Sequence, residues 1–269
     1  MEPILKAENV AKQYEGGSLF GTRRIFHSLH AVSLAIRPRT TLALVGPSGS
    51  GKSTLALCLA LLEPVTSGRI WFAGAETTAM STDELRRVRP NTQLVFQDPA
   101  SSLNPRFSAL ELVMEPLNLQ NRAMRKEEKI GVARELLERV GIPHESCDRR
   151  PGEFSGGQRQ RNAIARALAA RPQVLILDEA LSALDCSVQA QIVNLLLELQ
   201  ISLGLTYVFI SHDLAMAAHV ADEIAVMDRG TIIEMGAAES VVTAPRHKVT
   251  QRLLRASSFA AARLEPAVL

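Results

Sequence analysis

The sequence predicts an α/β fold with a mainly parallel sheet covered by helices on both faces. Three observations carry that prediction. Short apolar runs alternate with segments of helical period along most of the chain. Two runs, residues 42–45 and 174–177, are apolar throughout, as strands buried on both faces are. Each of the two ends in a polar turn, glycine-rich after the first and acidic after the second, at the edge where open parallel sheets hold ligands.

Taken in order, residues 4–10 and 31–36 read as strands by alternation, joined by a loop over residues 15–24 that carries Gly, Ser and Arg. Residues 42–45 form a buried strand feeding the Gly-rich turn, and residues 53–62 a helix of Leu and Ala. Residues 70–73 and 94–96 are further strands. From Asp98 the character changes: Pro99, Asn104, Pro105 and Pro116 punctuate a segment of short helices, and residues 125–140 set charges on an amphipathic helical period. The segment reads as an inserted helical unit. It closes at a Gly-rich stretch, residues 151–158, that opens a helix running through Ala170. Residues 174–177 are a strand, 189–203 a helix, 207–210 a strand and 214–220 a helix. A hairpin of residues 224–227 and 231–235 turns around Asp228, Arg229 and Gly230. One or two helices follow from Ala237.

Composition narrows the function. Of the 269 residues 46% are hydrophobic and 22% charged, the balance of a globular chain with a real core. Aromatics are only 4%, so that core is mostly Leu, Ile, Val and Ala. Net charge is +2, from 30 basic and 28 acidic residues, which argues against a chain built to hold nucleic acid by charge. Cys58, Cys147 and Cys186 form no CxxC pair, so neither a disulfide framework nor a zinc site is expected, and a reducing cytosol is the natural compartment. The first residues lack an apolar stretch behind a basic start, so no signal peptide is expected. No run of about 18 apolar residues is apparent. The longest candidate, residues 199–211, is broken by Gln200, Ser202, Gly204 and Thr206. Any membrane link is therefore expected to run through a partner.

Gly46, Pro47, Ser48, Gly49, Ser50, Gly51, Lys52 and Ser53 match the pattern G-x-x-x-x-G-K-[ST]. Glycines let the backbone wrap a phosphate with its N–H groups turned inward, and the helix that starts near Lys52 presents its positive end to the same anion. Lys52 is expected to reach the outer phosphates of a bound nucleotide, Ser53 to give its hydroxyl to Mg²⁺, and Thr54 to bond further phosphate oxygens; the loop alone leaves kinases, GTPases, helicases and motors open. A chance lysine beside a glycine turn would lack the strand before it and the helix after it. Asp178 and Glu179, delivered by the strand at residues 174–177, complete the chemistry: Asp178 holds Mg²⁺ through a water, and Glu179 polarises the water that attacks the terminal phosphate.

Four further segments resemble the ABC ATPase family. Phe154, Ser155, Gly156, Gly157 and Gln158, continued by Arg159, Gln160 and Arg161, look like its signature motif, placed shortly before the Asp178 strand. Gln97 looks like the Q-loop glutamine, Ser182-Ala183-Leu184-Asp185 like the D-loop, and His212 like the switch histidine. Tyr14 is placed like the aromatic that stacks on adenine. The resemblance covers nearly the whole chain. It implies a phosphate-loop NTPase, RecA-like core with a mainly parallel sheet, an N-terminal antiparallel β subdomain and an inserted α-helical signature subdomain. The implied division is one ABC ATPase domain: residues 1–97 and 171–243 as nucleotide-binding core, 98–170 as helical subdomain and 244–269 as a short tail.

In the family so resembled, two ATP molecules lie between head-to-tail subunits, and Ser155, Gly156, Gly157 and Gln158 of one would close over the triphosphate of the other. Gln97 then meets Mg²⁺ and the attacking water, His212 the terminal phosphate, and Asp185 communicates across the dimer. Residues 97–106, from Gln97 through Pro99, Ser101 and Ser102 to Arg106, are similar to the extended Q-loop of the branch serving dipeptide, oligopeptide and nickel importers. Residues 178–185 also look like that branch. Residues 244–254 are similar to its Pro-x-His-Pro-Tyr-Thr-x-x-Leu-Leu element, with Lys248 and Val249 departing from it. Many members of the branch extend into a cysteine cluster; none is present here, so no iron–sulfur centre is expected. The resemblance implies partner permease subunits, a second ATPase subunit, an indirect extracytoplasmic binding protein and a peripheral place on the cytoplasmic membrane face. A soluble ABC ATPase acting on DNA or the ribosome would carry long coiled-coil insertions or two cassettes. A non-hydrolysing nucleotide binder would lack Glu179 or His212. An exporter ATPase would lack the features around Asn104 and Pro105 and in the tail.

Overall fold

The computed structural model describes residues 2–16, 24–98 and 102–257. Pro99 and Ser101 of the extended Q-loop, most of the loop after Glu15, and the chain beyond Ser257 lie outside the described residues. In chain order the strands are β1 (Leu5–Gly16), β2 (Arg24–Ile36), β3 (Thr41–Val45), β4 (Ser67–Phe72), β5 (Ala75–Glu76), β6 (Thr92–Val95), β7 (Val174–Asp178), β8 (Thr206–Ser211), β9 (Glu223–Asp228) and β10 (Thr231–Ala237). The helices are α1 (Lys52–Leu59), α2 (Thr82–Val88), α3 (Ala109–Gln120), α4 (Lys126–Arg139), α5 (Gly156–Leu168), α6 (Cys186–Leu203), α7 (Leu214–Val220), α8 (Ala238–Thr243) and α9 (Lys248–Ala256). The chain divides into two compact units, one of Met1–Arg87 with Thr206–Leu269 and one of Val88–Leu205.

The first unit holds an antiparallel sheet in the order β2-β1-β4-β5. Its second sheet component is parallel: β3 pairs with β8 on one side and β9 on the other. All five residues of β3 and all six of β8 are buried, which is why both read as apolar runs. β10 joins β9 antiparallel, with Thr231 opposite Asp228, leaving a two-residue turn of Arg229 and Gly230. Both have positive φ, 46° and 78°, as a primed hairpin turn requires. Gly230 is also pinned by space, since a Cβ there would lie 2.6 Å from the Ser28 carbonyl oxygen.

The tail packs onto this unit. Leu253 and Leu254 of α9 and Val242 of α8 cover a buried cluster of Ala43, Val45, Leu214, Ala217, Ile224, Val226, Ala238 and Val241. Glu234 on β10 anchors the start of α9. It accepts the N–H groups of Arg246 (2.8 Å) and His247 (3.0 Å) and the hydroxyl of Thr250 (2.5 Å), a residue with no exposed surface. Burial would push the Glu234 carboxyl up, but the Arg246 N–H, the Thr250 hydroxyl and the His247 N–H together hold it below the ordinary glutamate range. Its stabilising contribution is therefore present above the unfolded value and lost as pH falls through the lowered folded one. In chemical unfolding, Thr250→Val is expected to cost about 1 kcal/mol at about pH 7 and clearly less at about pH 3. An equal cost at both would show that the charged carboxylate is not the acceptor that matters.

The second unit pairs β6 with β7 in parallel, Thr92 opposite Val174 through Val95 opposite Leu177. Helices α3, α4 and α5 pack on one another, and α5 also packs on β6. Those contacts put β6, β7 and α6 with the helices in the unit of Val88–Leu205. Pro116 differs from its expected place between short helices: it lies inside the twelve-residue α3. The helix persists because Ala109, Leu110, Leu112, Val113 and Leu117 are buried and Ser108 with Glu111 forms a capping box at its start.

α6 is long and apolar enough to cross a bilayer by length and mean hydropathy, with 18 residues averaging 1.2. Gln189, Gln191, Asn194, Glu198 and Gln200 interrupt its apolar residues. Its Ile192, Val193, Leu195, Leu196 and Leu199 are buried in the fold.

Candidate functional site

The phosphate loop lies between β3 and α1 in the first unit, and the neighbouring backbone dictates its residues. A Cβ on Gly46 would sit 2.2 Å from the Met227 carbonyl oxygen, closer than any real contact. Gly51 caps α1 with φ of 100°, and a Cβ there would meet the Ser28 carbonyl oxygen at 2.6 Å. Gly49 has φ of 76° in open space, so only its conformation demands glycine. Ser50 O accepts the Gly230 N–H at 2.9 Å, tying the loop to the β9–β10 turn.

Lys52 is 4% exposed, and its Nζ donates to the Gly46 and Pro47 carbonyls at 2.9 and 3.0 Å. The ammonium thus holds the loop curled around itself. Ser53 is exposed at the start of α1, and the Thr54 hydroxyl accepts from Ser28 Oγ at 2.8 Å. Pro47 is half-buried and Ser48 exposed at the crest.

Tyr14, partly exposed on β1, stands opposite Phe26 on β2. Lys12 Nζ lies 4.9 Å from the centre of its ring, a cation–π contact. Phe26 is 65% exposed, a large aromatic surface that sequence inspection passed over because only the β1–β2 register brings it to Tyr14. His212 follows β8 directly and is exposed.

In the second unit, Asp178 ends β7 and is 8% exposed. Glu179 comes next, half-buried, with φ of +47°. A non-glycine residue in the left-handed region costs about 1 kcal/mol and persists where the surroundings fix it. Here Ser182 supplies the fixing: its N–H and its Oγ both donate to the Glu179 carbonyl, at 3.0 and 2.9 Å. Gln97 Nε2 donates to the same Ser182 Oγ at 3.3 Å. The Q-loop and D-loop residues of the sequence reading thus meet at one serine. Gln189 Nε2 holds the turn from beneath by donating to the Leu181 and Leu184 carbonyls at 2.9 and 3.1 Å.

Asp185 caps α6. Its Oδ1 accepts the Val188 N–H at 2.9 Å and the Ser187 hydroxyl at 2.7 Å, and those bonds, the Val188 N–H foremost, hold its carboxyl below the usual range. Ser155 caps α5 in a reciprocal box: Ser155 Oγ accepts the Gln158 N–H at 3.3 Å, and Gln158 Oε1 accepts the Ser155 N–H at 3.0 Å. Gly156 and Gly157 are glycine for packing reasons. A Cβ on Gly157 would lie 2.6 Å from Val188 Cγ1, and one on Gly156 3.2 Å from Leu184 Cδ2. The signature turn and the start of α6 are therefore packed as one piece, with Ser155 exposed at its tip.

The first unit carries a strand–glycine loop–helix with a buried lysine, the arrangement that suits the phosphates of a nucleotide, and the second carries a strand ending in two carboxylates and a capped Ser-Gly-Gly turn. The comparisons with known proteins agree. The family described as ABC transporter matches residues 29–182. The chain belongs to the ABC transporter family. It is 44% identical over 258 residues to the di/tripeptide transport ATP-binding protein DppF of Pseudomonas aeruginosa, covering 96% of this chain and 80% of that protein. It is also 44% identical over 256 residues to the oligopeptide transport ATP-binding protein OppD of Mycobacterium tuberculosis, covering 94% of this chain and 42% of that longer one. Among solved structures, a dimeric ATP-binding cassette in a post-hydrolysis state bound to ADP and Pi superposes with a TM-score of 0.78. It is 33% identical and covers 87% of this ABC chain and 98% of its own. The family fold, an α/β cassette with a mostly parallel sheet and an antiparallel β subdomain, is the fold seen here.

Residues missed by sequence inspection share one property: each acts from a distance along the chain. Ser28 supports Thr54 from 26 residues away, and Met227 and Gly230 brace the loop from beyond residue 220. Ser182 lay within the D-loop reading, but its contact with Gln97 spans 85 residues.

Proposed function

We propose that this ABC ATPase is the motor subunit of a peptide importer, binding ATP between two head-to-tail protomers and hydrolysing it to drive a partner permease. The observation that supports this most is the phosphate loop with its buried, loop-bound Lys52, joined to likeness over nearly the whole chain to ATP-binding proteins of di/tripeptide and oligopeptide transport. Lys52 would exchange its bonds to the Gly46 and Pro47 carbonyls for phosphate oxygens, and the N–H groups of residues 48–54 would meet the same anion. Tyr14 would stack on the base. Glu179 would take the proton of the attacking water, and His212 would steady the terminal phosphate. Ser155, Gly156, Gly157 and Gln158 of the second protomer would close over it, with Asp185 at the shared face.

Mg²⁺ suits the donor set. Ser53, Asp178 and Gln97 offer only hard oxygen ligands, and Gln97 turns its amide nitrogen to Ser182, which leaves its oxygen as the end to meet a cation. When bound, the ion would neutralise charge developing on the β- and γ-phosphates. The division into nucleotide-binding core, helical subdomain and tail follows the same reading, as does a peripheral place on the cytoplasmic face of the membrane, held by the permease.

The test is co-purification with the permease in lipid, followed by ATPase assays with the extracytoplasmic binding protein loaded with di- and tripeptides or with nickel. Peptide-stimulated hydrolysis is the expected result. Stimulation by nickel alone, or by neither, would remove the peptide assignment while leaving the ATPase itself to be judged by its basal rate.

A further inference from the structure

The end of α9 reaches the residue beside His212. His212 stands between Ser211, the last residue of β8, and Asp213, the N-cap of α7. Asp213 donates its N–H to Ser211 Oγ at 3.0 Å, and its Oδ1 accepts the N–H groups of Ala215 and Met216 at 2.9 and 3.1 Å. These contacts are local. A further one is not: Ser257 Oγ, 44 residues on, donates to the same Asp213 Oδ1 at 2.5 Å and accepts the Ala215 N–H at 3.3 Å. Ser257 is 8% exposed, so water competes little for these bonds. The helix that carries it is fixed at its other end by Glu234, and between the two ends Leu253 and Leu254 pack against the cluster containing Leu214 and Ala217 of α7.

We propose that Ser257 is a positioning residue for His212, so that α9 sets the turnover of the ATPase rather than its affinity for nucleotide. The inference rests on the reading of His212 as the residue that meets the terminal phosphate. An N-cap carboxylate held from two directions cannot rotate with its loop. Without the Ser257 hydroxyl, the bonds that Asp213 keeps among the described residues are to its own loop and helix, and the His212 backbone gains freedom. Misplacement of a catalytic group by about 1 Å can cost up to about a hundred-fold in rate.

Ser257→Ala and Ser257→Thr, made in the full chain, separate positioning from mere stability. In the complex with permease, Ser257→Ala is expected to lower kcat about ten-fold with the Kd for ATP unchanged, and Ser257→Thr, which keeps the hydroxyl, to restore it. In the isolated full chain, the His212 imidazole signal, assigned by its loss in His212→Ala, is expected to move in Ser257→Ala and return in Ser257→Thr. An unmoved His212 signal overturns the proposal whatever the rates. So does a parallel fall of kcat and ATP affinity. Absence of any ATPase in the unaltered protein would instead count against the function proposed above, and the imidazole signal would still decide the role of Ser257.

Discussion

Glu179→Gln is expected to retain ATP binding and to lose turnover by about 100- to 10,000-fold, the range that a positioned general base supplies. Gln has nearly the shape of Glu, so the left-handed backbone at residue 179 and its two bonds from Ser182 stay in place. What goes is the group that can take a proton. Because ATP would remain uncleaved, the variant should also accumulate as an ATP-bound dimer, visible as a doubled mass on size exclusion with light scattering. Equilibrium binding with a non-cleavable analogue supplies the control, and its Kd should match the unaltered protein. Hydrolysis at the ordinary rate would mean that another group activates the water.

Lys52→Ala should remove measurable nucleotide binding. Charge-assisted hydrogen bonds contribute about 1.5–3 kcal/mol each, so loss of one such group alone raises Kd about ten- to a hundred-fold. The structure adds a second reason. Lys52 Nζ also holds the Gly46 and Pro47 carbonyls, so the alanine variant frees the loop that must be curled before ligand arrives. Isothermal titration with ATP measures the loss, and a melting curve shows whether the unit stays folded. Unchanged affinity in a folded variant would refute the role given to Lys52.

The parts of this chain that the sequence made legible are those encoded by neighbours. Strand β3, the phosphate loop and α1 follow one another, so a single local pattern specified all three. The α5 start was legible for the same reason, with Ser155 and Gln158 three apart as a capping box needs. The start of α6 is also encoded locally: Asp185 caps it and the helix begins at Cys186, three residues before the helix expected over residues 189–203. β1 and β2 run longer than their alternation suggested because bulges at Lys12–Gln13 and at Ala7–Val10 break the period of two. α2 carries no buried residue and β5 only two residues, so neither left an apolar signature. The contacts Ser28–Thr54, Gln97–Ser182 and Ser257–Asp213 are set by tertiary packing, which no window of neighbouring residues contains.

The claim on which the account stands is that the glycine loop at Gly46 and the serine turn at Ser155 grip one triphosphate from opposite protomers. A crystal structure of Glu179→Gln with ATP and Mg²⁺ tests it directly. Ser155 of the second protomer is expected within hydrogen-bond distance of the terminal phosphate that Lys52 holds. Ser155 open to solvent in every assembly of the nucleotide-loaded crystal would contradict it.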